Sequence, residues 1–135
     1  MLNLFTWIMA AAVSLVVPAT AAIAVGKPVL TIYTYESFTS EWGPGPAIEM
    51  AFEENCNCDL QFVSLDSSIG ILGRVQLEGA GSKADIVLGL DTNLMATARD
   101  TGLFAPHGTK LAGRTSLPVD FSDDVFVPFD WGHFA

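Results

Sequence analysis

Tyr35 and Glu36, then Asp66, Ser67 and Ser68, then Asp91 each follow directly on a short run rich in β-branched or aromatic residues. Rings and carboxylates gathered this way suit a cationic or heteroaromatic guest, whose charge is met by ring faces and acid groups. Trp42, close by in "YTYESFTSEWGPGP", offers a further stacking surface. Ser67 and Ser68 at the start of a helix would add hydroxyl and backbone N–H donors for an anionic group such as a phosphate. Each residue also has a purely structural reading. Trp42 beside Gly-Pro-Gly-Pro can be a packed loop aromatic, while Asp91 and the Asp66-Ser67-Ser68 run can be helix caps.

Motifs for covalent or acid–base chemistry are absent from the sequence. It contains no G-x-S-x-G, no H-E-x-x-H, no phosphate-cradling P-loop and no G-x-G-x-x-G. Carboxylates are plentiful, but no spacing pairs an acid with a base. His107 reads as a loop histidine and His133 as a strand-face histidine, with no partner set for catalysis. Binding is therefore favoured over turnover, and no cofactor or metal site is indicated.

The elements that would position these residues follow from periodicity. Val29 to Tyr35, Leu60 to Leu65 and Asp85 to Leu90 have the length and composition of strands. Helix-sized intervals separate them. Pro46 suits the first position of a helix carrying Ile48, Ala51 and Phe52. Ser67 or Ser68 can cap a second helix with Ile69, Leu72, Val75 and Leu77, and Asp91 or Thr92 a third through Leu94, Met95 and Ala98, ended by Gly102. Strand alternating with helix predicts an α/β architecture with a parallel-rich sheet flanked by helices. In such a sheet the residues just after each strand converge on one edge, where ligands bind.

Residues 105 to 124 lack periodicity and read as an ordered surface excursion. The last run, "VFVPFDWGHFA", is strand-like, and if it joins the sheet it brings Asp130 and Trp131 to the same edge. The sequence stops inside that run, which reads as an incomplete protein.

The chain has 135 residues, enough for about one domain. Residues 1 to 26 carry no charged side chain: an apolar run from Leu4 to Val17 precedes Pro18 and small residues. That is the layout of a signal peptide, assigned to residues 1–24 with cleavage between Ala21 and Ala24. An uncleaved membrane anchor over Leu4 to Val25 is the alternative. Either reading places residues 27–135 outside the cytoplasm, and they carry the whole net charge of −9. So acidic a surface repels nucleic acid and anionic lipid.

Cys56 and Cys58, in "ENCNCDL", complete the chemistry. In an oxidising compartment a disulfide is the first reading, although a C-x-C bridge closes a very small ring. Two thiolates alone do not make the four-ligand set of a structural zinc site. Free thiols are the remaining reading.

The runs "KPVLTIYTYESF", "EWGPGPAIEMAFEENCNCDLQFVSL", "SKADIVLGLDTNL", "TGLF" and "FVPFDWGHFA" together resemble the periplasmic thiamine-binding proteins, the solute-binding subunits of bacterial thiamine ABC importers. The resemblance spans Lys27 to Ala135. It implies the first lobe of a two-lobed class II binding-protein fold, truncated, which as a whole closes on its ligand like a hinged clamp and acts as a monomer without catalysis. Thiamine, thiamine monophosphate or thiamine diphosphate is the implied ligand, and a membrane permease with a cytoplasmic ATPase the implied partner. It places Tyr35 and Trp42 at aromatic positions near the ligand and Asp66-Ser67-Ser68 in a contact loop. The sequence departs from the family where an acid followed by Asp-Gly is expected before the second helix, and where Trp131 and His133 replace tyrosines. A ferric-iron or other small-solute receptor of the same superfamily is the alternative function, and an exported hydrolase using Asp66, Asp91 or Asp130 a remote one.

Overall fold

The structure is a computed structural model that describes residues 26–109, 121–130 and 132. The signal segment and its anchor alternative, Trp131 and His133 lie outside the described residues. Chain order is β1 (Val29–Tyr35), α1 (Glu36–Thr39), α2 (Gly45–Cys56), β2 (Asp59–Leu65), α3 (Ser68–Glu78), a 3-10 turn (Gly79–Gly81), β3 (Ile86–Val87) and α4 (Met95–Asp100). The strands form one parallel sheet in the order β2-β1-β3. β1 pairs with β2 along its whole length, from Val29 opposite Asp59 to Tyr35 opposite Leu65.

Chain reversal about β1 dictates where the helices go. The step from β1 to β2 runs one way across the sheet and the step from β2 to β3 runs the other way, so right-handed crossovers put their helices on opposite faces. The contacts agree. Ile71 and Val75 of α3 form the buried core with Tyr33, joined by Tyr35, Val63, Leu65, Val87 and Leu90. On the other face, Phe38 of α1 packs edge-on against Phe62 with centroids 5.7 Å apart, and the Thr39 and Ser64 hydroxyls hydrogen-bond at 2.6 Å.

Helix starts and stops follow local chemistry. The Ser67 hydroxyl accepts the Gly70 N–H at 3.2 Å and caps α3. Pro46 lies in the first turn of α2, as its missing N–H and fixed φ favour. Between α1 and α2 the backbone folds on itself. A Cβ on Gly43 would run into the Ser37 and Phe38 carbonyl oxygens, and one on Gly45 would lie 2.7 Å from the Phe38 oxygen. The two glycines of the Gly-Pro-Gly-Pro run are therefore a steric requirement of this corner.

Several expectations need correction. α1 was not foreseen; its single turn depends on Phe38, 1% exposed, finding Phe62 and Tyr35. The third strand is confined to Ile86–Val87, because Asp85 uses its carboxylate to take the Thr31 N–H at 2.8 Å and Gly89, at φ 103°, turns the chain out of the sheet. The third helix begins at Met95, since Asp91 caps a preceding turn instead. Ile69 and Leu77 face outward, while Ile71 joins Leu72 and Val75 in the core. The last run is not a strand over its described residues, 125–130 and 132.

That run is held by charge. Asp123 accepts the Val125 and Phe126 N–H groups at 2.8 Å each through Oδ1 and receives Arg99 of α4 at 2.6 Å through Oδ2. The Phe126 N–H, then Val125 and Arg99, hold this carboxyl below its ordinary range against the opposing cost of desolvation. Arg99 also reaches Asp124 at 3.2 Å and lies over the Phe126 ring.

A second polar group closes the lower end of the core. The Tyr33 hydroxyl and the Ser82 hydroxyl each donate to Glu78 at 2.9 Å, and Arg74 meets the same carboxylate at 2.6 Å. Arg74 first, then Ser82 and Tyr33, hold the Glu78 carboxyl below its usual range. Its contribution is thus present above the ordinary carboxylate pKa and is lost as pH falls through the depressed value.

Cys56 and Cys58 are disulfide-bonded across Asn57, which adopts a left-handed conformation at φ 51°. So short a loop restricts the unfolded chain little, by roughly 1.6 kcal/mol on loop-entropy grounds.

Two substitutions in β1 and α3 have opposite expected signs. Ile71→Ala, at a fully buried position, should cost about 2–5 kcal/mol. The Thr34 hydroxyl is buried with no hydrogen-bond partner among the described residues, so Thr34→Val should stabilise by about 1 kcal/mol. Urea denaturation of each variant checks both, and destabilisation by Thr34→Val would show that the hydroxyl is satisfied.

Candidate ligand-binding cleft

β1 is flanked by strands whose connections leave in opposite directions, and at such a switch point the loops after the strands part to leave a crevice. A cleft of about 270 Å³ opens there, lined by Tyr35, Ser68, Gly89, Leu90, Asp91 and Asp130. Tyr35 ends β1, Ser68 begins α3, and residues 89–91 follow β3. Asp130 arrives from the 121–130 segment, which Phe129 docks against Phe38 at a centroid distance of 5.7 Å.

The cleft wall is built around the Tyr35 ring. It contacts Phe38 edge-on at 5.8 Å, and Gly89 lies so close to its Cδ1–Cε1 edge that a Cβ there would overlap the ring. Glycine is required at position 89 twice over, by this approach and by its φ of 103°. Burial, with the Asp130 carboxylate as a second cause, raises the Tyr35 phenol above its ordinary pKa. The phenol of this lining residue is therefore neutral and able to donate across the physiological range.

The acids differ in how far the fold already uses them. Asp91 accepts the Asn93 N–H at 2.8 Å and the Leu94 N–H at 3.3 Å, both through Oδ1. Among the described residues nothing engages its Oδ2. Asp130 is exposed at the rim. Asp66 accepts the Ser67 hydroxyl at 3.1 Å and lies over the first turn of α3 beside Gly70, outside the lining. Ser67 is committed to its cap, which leaves Ser68 as the serine in the cleft.

Of the residues singled out from the sequence, then, Tyr35, Ser68, Asp91 and Asp130 meet at one cleft. Trp42 does not join them: it is 80% exposed, outside the lining. Gly89 and Leu90 were missed, although a glycine at the end of an apolar strand run is a recognisable sign of close backbone approach.

The raised Tyr35 pKa can be checked directly. In a Tyr33→Phe background, where Tyr35 is the remaining tyrosine, phenolate absorbance should appear above the pH at which free tyrosine ionises. Because the folded pKa is the higher one, the stability Tyr35 contributes is complete below the unfolded pKa and is lost as pH rises through the folded value. Asp130→Asn should move the midpoint down without abolishing the shift, since burial is the larger cause. An unmoved midpoint would place Asp130 too far away to act on the ring.

No family model matches the chain. Individual relatives do. It is 52% identical over 109 residues to the thiamine-binding periplasmic protein of Escherichia coli, covering 81% of this chain and 33% of that protein. The protein of the same name from Brucella suis is 47% identical over all 135 residues and 39% of its own length. That of Haemophilus influenzae is 43% identical over 117 residues, or 86% and 35% of the two chains. Among solved structures, a periplasmic thiamin binding protein superposes with a TM-score of 0.71 at 48% identity, over 85% of this chain and 35% of that one. A Trichodesmium IdiA (FutA) in complex with iron and citrate superposes with a TM-score of 0.51 at 18% identity, over 60% and 24%, which speaks to the fold alone. The chain spans about a third of the length of the curated relatives it matches. The parallel sheet flanked by helices is accordingly part of a periplasmic binding-protein fold. In sequence and backbone course alike, the chain is similar to thiamine-binding periplasmic proteins over about a third of their length.

Proposed function

We propose that the intact protein binds thiamine or its phosphates in the periplasm and hands them to an ABC importer. The observation that carries this reading is the cleft at the carboxyl edge of the sheet. There the Tyr35 ring and the Asp91 and Asp130 carboxylates come together, in a chain related to proteins named for thiamine binding. Thiamine is a heteroaromatic cation, so a ring face with two acids nearby matches both its properties. Ser68, at the start of α3, adds a hydroxyl near which a phosphate on the same ligand would be tolerated.

The role of this segment is to supply one wall of a clamp. A cation held between two lobes is withdrawn from water, which strengthens its attraction to the carboxylates. Trp42, open to solvent, and Trp131 are further candidate ring contacts within the same reading. Residues 1–24 act as the export signal, the membrane permease is the partner that receives the loaded clamp, and no reaction is catalysed.

Tryptophan fluorescence of the intact protein, titrated separately with thiamine, thiamine monophosphate, thiamine diphosphate and ferric iron, tests the reading. Saturable quenching by thiamine is expected, and Asp130→Asn should weaken it roughly tenfold, equivalent to about 1.4 kcal/mol. A saturable response to iron alone would move the protein to the metal-binding branch of the same fold.

A further inference from the structure

Cys56 and Cys58 lie outside the cleft and take no part in the proposed binding. We propose that their disulfide is a thiol-exchange site that opens in the folded protein, with Cys56 as the sulfur attacked and cationic or neutral thiols as preferred partners.

The fold around the bond does not depend on it. The Asp59 N–H donates to the Pro28 carbonyl at 2.9 Å, which aligns β2 with the start of β1. The Leu60 N–H donates to Glu53 Oε1 at 2.8 Å, tying β2 back to α2, and the Asn55 side chain closes on the Ala51 carbonyl at 2.7 Å. The Leu60–Glu53 bond spans the same α2–β2 junction as the disulfide, while the other two hold its flanks, α2 within itself and β2 against β1. Because the bridge spans one residue, breaking it also returns little freedom to the unfolded chain. The reduced protein therefore keeps the native junction.

Accessibility separates the two sulfurs. Cys58 is 7% exposed and lies at the base of the sheet, whereas Cys56 is partly open in the last turn of α2. An incoming thiolate meets Cys56 Sγ first. It forms a new S–S bond there, the Cys56–Cys58 bond breaks, and its electron pair leaves on Cys58 Sγ, which takes a proton from water. A second thiolate then attacks the outer sulfur of the mixed disulfide, releasing Cys56 as a thiolate and the two thiols as their disulfide. Two electrons pass from the two thiols to the cystine, and the reverse sequence restores it.

Charge selects the partner. Glu49, Glu53, Glu54 and Asp59 surround the bridge in sequence, and residues 45–61 contain no lysine or arginine. Approach of an anionic thiolate is opposed by this field, and a thiol bearing an ammonium group is drawn in.

The test counts free thiols released from the intact protein in native buffer. Cysteamine and mercaptopropionate are compared at matched thiolate concentrations, in low and high salt, with far-UV circular dichroism recorded alongside. Two thiols per chain should appear with the dichroism unchanged. Cysteamine should be roughly threefold to tenfold faster at low salt, the ratio closing toward one at high salt. With cystamine as probe, the Cys58→Ser variant, which retains Cys56, should form its mixed disulfide at least about tenfold faster than Cys56→Ser. Thiols that appear only in denaturant, dichroism lost on reduction, equal rates for the two reductants at low salt, or faster labelling of Cys58 would each overturn the proposal.

Discussion

β1 is hydrogen-bonded in parallel on both edges, to β2 along its full length and to β3 around Ile32 and Tyr33. A strand paired this way cannot shift register by one residue without exchanging its two faces. Tyr33 and Tyr35 would then leave α3, and Thr34 would meet the core. With β1 fixed, the opposed crossovers follow, the helices divide between the two faces, and the loops after β1 and β3 part at Tyr35 and Gly89. The cleft is thus a by-product of strand order, and its lining is whatever residues the sequence supplies at those ends.

The segment reaching Asp130 has a different origin. No strand pairing directs the described residues 121–130; Arg99 on the Asp123 and Asp124 carboxylates, the His107 N–H on the Asp124 carbonyl at 2.8 Å, and ring contacts at Phe126 and Phe129 do so, while the Asp123 carboxylate turns the backbone at Val125 and Phe126. Arg99 is consequently a positioning residue at long range. It lies on α4, away from the cleft lining, yet anchors the stretch that carries an acid into it.

Much of this was legible in the sequence because it is local. β-branched runs marked β1 and β2 almost to the residue, and Ser67 announced α3 through its capping chemistry. The convergence of Tyr35, Ser68 and Asp91 followed once the sheet was read as parallel. What the sequence hid depends on partners far along the chain. α1 needs Phe62, and the true extent of β3 needs the Asp85 carboxylate to find the Thr31 N–H. The apolar 125–130 run looks like a strand by composition, yet Asp123 captures its first two N–H groups in a turn. Trp42, singled out by its residue type and by the resemblance, stands in solvent outside the cleft lining, a placement that composition does not reveal.

Of the three strands among the described residues, the central one is also the first to be synthesised. β1 leaves the ribosome with both edges bare, waits through α1 and α2 for β2 to cover one, and through α3 for β3 to cover the other. During that interval an apolar ribbon with free hydrogen-bonding groups is exposed to any other strand it meets. The delay is inherent in placing the earliest strand between two later ones. A cleft at a switch point therefore carries a kinetic burden on the nascent chain, which favours a cell that shields such segments until their neighbours emerge.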